Sequence, residues 1–210
     1  DKTKDQSYFL FATLQDQLDY VRFPLGNYLK SEIRQMANDY NLVVSDKPDS
    51  QDICFVTSDS YRNLINKLQP EANKKGNILD INGNKIGIHK GIANYTVGQR
   101  KGVGVSGQNQ PLYVKEVNKD QNYIVLAPLE SLKKNKIFFK NINLLDKEFI
   151  NQEFKCSAKI RSTQNEISGK LKINDNSGYF LFDEPISATS PGQACVFYKN
   201  DQVLGGGWIT

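Results

Sequence analysis

No stretch of this 210-residue chain approaches the roughly 20 consecutive apolar residues that a membrane-spanning helix requires, so a helical membrane protein is not expected. Histidine is nearly absent: His89 is the single example. Cysteine is scarce and odd in number, with Cys54, Cys156 and Cys195 widely separated. That pattern is a poor disulfide framework and points to a reducing, cytoplasmic setting. With no CxxC pair and one imidazole, a zinc site of the usual kind is not expected, and a histidine-based triad has one candidate at most. Neither methionine nor a signal-peptide pattern opens the chain at Asp1, and the sequence is expected to be a piece of a longer polypeptide.

Carboxylates are missing from a long internal stretch. Between Ile81 and Lys115 there is no Asp or Glu, while Lys85, Lys90, Arg100, Lys101 and Lys115 are positive. A second basic run is Lys133, Lys134, Lys136 and Lys140, and the first fifty residues lean slightly acidic instead. Net charge is +4. Such asymmetry suits a polyanionic partner; a lysine-rich solvated surface is the plainer alternative.

What is present reads as an α+β chain in three parts. Phe9, Leu10, Leu14, Leu18 and Val21 recur at helical spacing and predict one apolar stripe, broken at Pro24 and Gly26. A second helix from about Leu29 places Ile33, Met36, Ala37 and Tyr40 on its buried face, with Asn41 as C-cap. A short strand is expected at Ile53–Val56, then a helix capped by Ser58. Asn82-Gly83, between two apolar runs, signals a type I′ hairpin, and LYVKEV and NYIVLA form another strand pair. Beyond about Lys133 the pattern is nearly all β: FKCSAKIRS, EISGKLKI, GYFLF, ACVFY and VLGGGWI, consistent with an antiparallel barrel of about six strands. The expected division is a helical piece over residues 1–48, a small mixed domain over 49–130 and the barrel over 131–210.

Several residues carry candidate chemistry. Cys54 closes a polar loop and is flanked by Ile53, Phe55 and Val56; locally it reads either as a buried hydrophobe or as a thiolate near a helix start. Cys156 and Cys195 lie inside alternating strands and are expected to fill core. GIANYTVGQRKGVGVSG, Gly91 to Gly107, could cradle a phosphate around Arg100 and Lys101, but it lacks the spacing of an ATP phosphate loop. His89 is expected to be structural. Gln193, expected to be exposed at the turn entering ACVFY, could touch a nucleic-acid backbone. Gly205–Gly207 suggests a bulge or a close backbone crossing.

Taken in order, KDQSYFLF, FPLGNYLKSEIRQMA, DSQDICFV, YTVGQRKGVGV, PLYV, AKIRSTQ, FDEP and SPGQACVFY…LGGGWI resemble the C-terminal part of the bacterial tRNA-specific 2-thiouridylases, from Lys4 to the end. The resemblance implies that residues 1–48 are the helical end of an ATP-pyrophosphatase domain whose SGGVDS loop, with a second catalytic cysteine, lies upstream. It implies ATP and Mg²⁺ bound there, adenylation of O2 of the wobble uridine at tRNA position 34, and sulfur delivered to C2 by a persulfide on Cys54. The upstream cysteine would then close a transient disulfide with Cys54. A sulfur relay protein or cysteine desulfurase is the implied donor, and the enzyme is expected to be a cytoplasmic monomer. The implied tRNA contacts are Lys4, Asp5, Gln6, Arg100, Lys101, Arg161, Ser162 and Gln193. Ser162 departs from the family's usual tyrosine; serine bonds a phosphate but cannot stack on a base. Residues 1–210 alone are expected not to catalyse. The alternatives are a non-catalytic RNA-binding module and a protein scaffold with no nucleic-acid partner.

Overall fold

The computed structural model describes residues 5–47, 68–105, 110–145, 151–187 and 190–210. The strand and helix expected at Ile53–Val56 and from Ser58 lie outside these residues, as do Cys54 and Lys4.

A 3₁₀ helix spans Ser7–Leu10, followed by α1, Gln15–Tyr20, and α2, Lys30–Asp39. The expected apolar stripe is not what is buried. Tyr8 and Phe11 are covered, whereas Phe9 is 65% exposed and Leu14 50%. The reason lies in the barrel. Asn143 donates its side-chain amide to the carbonyls of Phe11 and Thr13, both at 2.8 Å. A continuous helix would have used those carbonyls for its own N–H groups four residues on. The chain therefore restarts at α1, where Leu14 N–H donates to Gln17 Oε1 at 2.9 Å. Along α2, Ile33, Met36 and Ala37 are half-buried, but Tyr40 is exposed, against expectation. Asn41 does end the helix in the left-handed region, with φ 51°, and Leu42 N–H closes onto Ala37 O at 2.9 Å.

The central sheet holds β1 Gly76–Leu79, β2 Lys85–His89, β3 Leu112–Asn118 and β4 Tyr123–Pro128 in the order β2-β1-β4-β3. β1 and β4 run parallel; the other pairs are antiparallel. Ile78, Val103, Val114, Ile124 and Leu126 form its core. The hairpin at Asn82-Gly83 exists, but not as type I′. That turn needs positive φ at both central residues, and only Gly83 has it, at 86°. Asp80 redirects the turn: its carboxylate accepts the N–H groups of Asn82 and Asn84, each at 2.8 Å.

Six strands close into an antiparallel barrel: β5 Lys134–Leu144, β6 Glu153–Lys159, β7 Ile167–Asn174, β8 Ser177–Ile186, β9 Ala194–Lys199 and β10 Gln202–Ile209, in the order β10-β5-β8-β7-β6-β9. The basic run from Lys134 is thus the outward face of a strand, alternating with inward Ile137 and Phe139. Phe139, Phe180, Phe197, Ile160 and Leu171 fill the interior, joined by Cys195, with Cys156 packed at the margin. Burial pushes the Cys156 thiol up to about 12, and that of Cys195 well up. Both cysteines fill core, as expected. His89 is fully buried; its Nδ1 accepts the Gly91 N–H at 3.1 Å, which leaves the proton on Nε2, 3.2 Å from the Asn122 carbonyl. That is a structural imidazole.

Candidate nucleic-acid interface

Residues 5–13 lie against the outer surface of β9. Inward residues of β9 belong to the barrel core, while Ala194, Val196 and Tyr198 face out and pack with Tyr8 and Phe11. β9 is therefore buried on both faces. The Tyr8 hydroxyl donates to the Ala194 carbonyl at 2.9 Å. Its phenol is pushed up to about 12, first by burial and then by the Cys195 thiol, with Arg161 acting in the opposite direction. Phe11 sits on Gly206 and meets Trp208 edge-on, with ring centroids 5.2 Å apart. A Cβ at Gly206 would come within 2.8 Å of the Phe11 ring and 2.7 Å of Cys195 O. The close backbone crossing expected at Gly205–Gly207 is this contact, and β10 also shifts register against β5 between Gly206 and Trp208.

Just before this segment, Asp5 is tied to the barrel. Its carboxylate accepts the Ser7 N–H at 2.8 Å and the Ser7 hydroxyl at 3.0 Å, and pairs with Lys159 Nζ at 3.1 Å. Partial burial works to raise the Asp5 pKa. The Ser7 and Lys159 contacts together outweigh it and hold the carboxyl below its ordinary value. Lys159 also lies 4.9 Å from the centre of the Tyr198 ring and 4.0 Å from Glu166. Glu166 in turn accepts a hydrogen bond from Ser157.

The structure thus gathers Asp5, Gln6, Arg161 and Gln193 around the Tyr8–Ala194 contact. Ser162 follows Arg161 and is half-buried. Gln193 accepts the Ile209 N–H on its backbone carbonyl at 2.8 Å, and its side-chain Oε1 is buried with no hydrogen-bond partner among the described residues. Ser190, two residues earlier in the chain than Gly192, reaches the central domain and donates to the Val97 carbonyl at 3.3 Å. Arg100 and Lys101 are exposed on that same loop. The loop is pinned to β3 by Gly98 N–H to Val114 O at 2.8 Å and Val114 N–H to Gln99 O at 2.9 Å. Gln99 bridges Thr96 N–H and Lys101 O with its side chain. A cationic loop is thereby held beside the turn that carries Gln193.

Lys159, Tyr198 and Asn143 were not singled out in the sequence. Only Tyr198 had a signal, the unbroken apolar run ACVFY: a strand that does not alternate is covered on both faces, so something must lie outside β9. Among the described residues, no group of three His, Cys, Asp or Glu side chains could hold a metal ion, and no helix is long and apolar enough to cross a membrane.

Three family models match in succession. Residues 1–58 match the tRNA methyl transferase HUP domain, 62–128 the tRNA methyl transferase PRC-barrel domain, and 134–209 the aminomethyltransferase beta-barrel domain. The chain is 46% identical over 211 residues to the tRNA-specific 2-thiouridylase MnmA of Wolbachia sp. subsp. Drosophila simulans (strain wRi), covering 100% of this chain and 56% of that protein. It is 47% identical over 211 residues to that of Ehrlichia ruminantium (strain Gardel), again covering 100% and 56%. To that of Rickettsia canadensis (strain McKiel) it is 45% identical over 212 residues, covering 100% and 57%. The chain spans a little over half the length of these curated relatives.

Proposed function

Because this chain belongs to the tRNA-specific 2-thiouridylase family, we propose that it is the sulfur-carrying and RNA-holding part of an enzyme that places sulfur on C2 of the wobble uridine of tRNA. The observation that carries the reading is collinearity: three domain models in order, and about 46% identity sustained along all of the chain. The geometry agrees in kind. A cationic loop with Arg100 and Lys101 adjoins the Gln193 turn, and Arg161 stands by the Tyr8–Ala194 contact, which suits an RNA held by its phosphates with one base presented.

In this reading Cys54 carries the persulfide. Its terminal sulfur bonds to C2 of the uridine as the C2–oxygen bond breaks, the oxygen leaving as part of the AMP to which adenylation would have joined it. The sulfur–sulfur bond to Cys54 breaks when a second cysteine, upstream, forms a disulfide with it. ATP and Mg²⁺ are assigned to the portion before residue 1, and a sulfur relay protein or cysteine desulfurase to the donor role. We assign residues 1–48 to the ATP domain, 49–130 to the central domain and 131–210 to the barrel, in a cytoplasmic monomer. What this chain supplies is the sulfur carrier and the grip on RNA; dryness around Cys54 would come from Ile53, Phe55 and Val56 and protect a persulfide from hydrolysis.

The test is nucleoside mass spectrometry of tRNA from cells whose only copy of the full-length protein carries Cys54→Ser. Loss of 2-thiouridine is expected. Unchanged 2-thiouridine would leave a non-catalytic RNA-binding module as the better description.

A further inference from the structure

The barrel strand diametrically opposite β9 is β8, and no other segment among the described residues covers its outer face. Towards the Ser177 end of β8 the outward residues of β5, β8 and β7 are basic and aromatic, while Asp183 and Glu184 are exposed nearer its other end. Phe138 on β5 and Tyr179 on β8 stand directly opposite each other, and Lys172 on β7 stands opposite Tyr179 on its other side. The two rings meet edge-on at 6.3 Å between centroids. Lys136 Nζ lies 3.7 Å from the centre of the Tyr179 ring and 5.2 Å from that of Phe138. Phe138 is 55% exposed in mid-strand. The Tyr179 hydroxyl donates to Glu153 at 3.2 Å, which fixes its ring.

We propose that this wall is a second RNA-contact surface, one that takes backbone phosphates and an unstacked base of the bound tRNA outside the anticodon loop. The proposal rests on the reading above that tRNA is the partner. Three observations carry it. First, lysines predominate around the two rings: Lys136, Lys140 and Lys172 border Phe138 and Tyr179, Glu153 is engaged by Tyr179 and by Lys170 at 3.4 Å, and the exposed Asp183 and Glu184 lie towards the other end of β8. Second, Lys155 stands directly opposite Lys170 in the β6–β7 pair. Like charges opposed across a sheet cost stability; Glu153 meets part of that cost at Lys170, and a bound polyanion would relieve the rest. Third, the wall is continuous with the candidate interface: Trp208 is paired with Ala194 on one side and with Lys140 on the other. With neighbouring strands about 4.8 Å apart and Tyr179 two residues along β8 from the partner of Lys140, Trp208 and Tyr179 are about 12 Å apart. An acidic protein would be served by the lysines alone. An exposed ring between lysines, here Phe138, is what a single-stranded stretch uses, since bases stack on aromatics while cations hold the phosphates.

The experiment compares binding of intact tRNA and of its isolated anticodon stem-loop to the full-length protein by fluorescence anisotropy across a salt series. The triple variant Lys136→Gln, Phe138→Ser, Lys140→Gln is expected to weaken binding of intact tRNA about tenfold. It should also lower the slope of log affinity against log salt by about 2, with stem-loop binding unchanged. The double variant Lys136→Gln, Lys140→Gln keeps every apolar side chain and should show the same loss of slope if the triple variant does not fold. Unchanged affinity for intact tRNA, or an equal loss for both RNAs, overturns the proposal while leaving the tRNA reading in place. Wild-type protein that binds neither RNA overturns the tRNA reading, and this surface with it.

Discussion

Asp5 is the residue at which the two ends of the chain are electrically joined. Its carboxylate is held by Ser7 from its own segment and by Lys159 from β6. The folded pKa lies below the ordinary value of about 3.9. A depressed carboxyl contributes stability that is fully present above the unfolded value and is lost as pH falls through the folded one. Thermal melts of wild type and Asp5→Asn should therefore differ at pH 6 and converge as pH falls below about 4. A difference that persists at pH 2 would mean that the charge of Asp5 contributes nothing. Lys159→Met should remove only part of the same difference, because the Ser7 hydrogen bonds, which lower the Asp5 pKa more, remain; for an ion pair this accessible the effect is under about 1 kcal/mol. Asp5 thus has a positioning role in addition to any direct contact with RNA: it holds the turn that presents Gln6.

At the scale of elements, the docking of the 3₁₀ segment on β9 and β10 depends on a ring lying flat against a strand that has no side chain there. Gly206→Ala would drive a Cβ into the Phe11 ring and Cys195 O. Overpacking of this kind costs about 1–3 kcal/mol. Phe11→Ala, which empties a buried aromatic site, should cost about 3 kcal/mol. The two losses should be strongly non-additive, since both act on one contact; denaturant unfolding of the singles and the double measures it. Simple addition would show that Phe11 does not rest on Gly206 in solution.

The barrel strands were legible because each is covered on one face and alternates accordingly, as FKCSAK and KLKI do. ACVFY does not alternate, and its cover, Tyr8 and Phe11, lies far away in sequence. The helical stripe through Phe9 and Leu14 misled for the same reason: spacing along the chain could not register that Asn143 takes the carbonyls of Phe11 and Thr13. Nor could local pattern distinguish the Asn82-Gly83 turn from type I′, because the deciding group is the Asp80 side chain. The parallel pairing of β1 with β4 left no local mark at all. Of the candidate site, the cationic loop and the Gln193 turn could be read from composition and turn chemistry. Their apposition through Ser190 and Val97 could not, since it joins segments about ninety residues apart. Cys54 and Lys4 lie outside the described residues, so their roles rest on the motifs alone.

At the scale of the whole molecule, cationic groups stand on two sides of the β9 wall: the Arg100–Lys101 loop beside Gln193, and Arg161 beside Tyr8. If both grip one polyanion, Arg100→Ala with Lys101→Ala should weaken tRNA binding and lower its salt slope by about 2. A salt slope equal to that of wild type would place the loop away from the RNA.

One feature of this architecture bears on how the protein is made. Tyr8 binds the carbonyl of a residue 186 positions further on, and its neighbour Phe11 waits for β10, the last of the described strands. A growing polypeptide emerges from the ribosome in order. Two aromatic side chains that precede the central sheet must therefore remain wet while that sheet and most of the barrel are still being synthesised. Their final seat is completed only when translation of this stretch is finished, so any message truncated ahead of Ala194 yields a product whose opening segment has nowhere to settle.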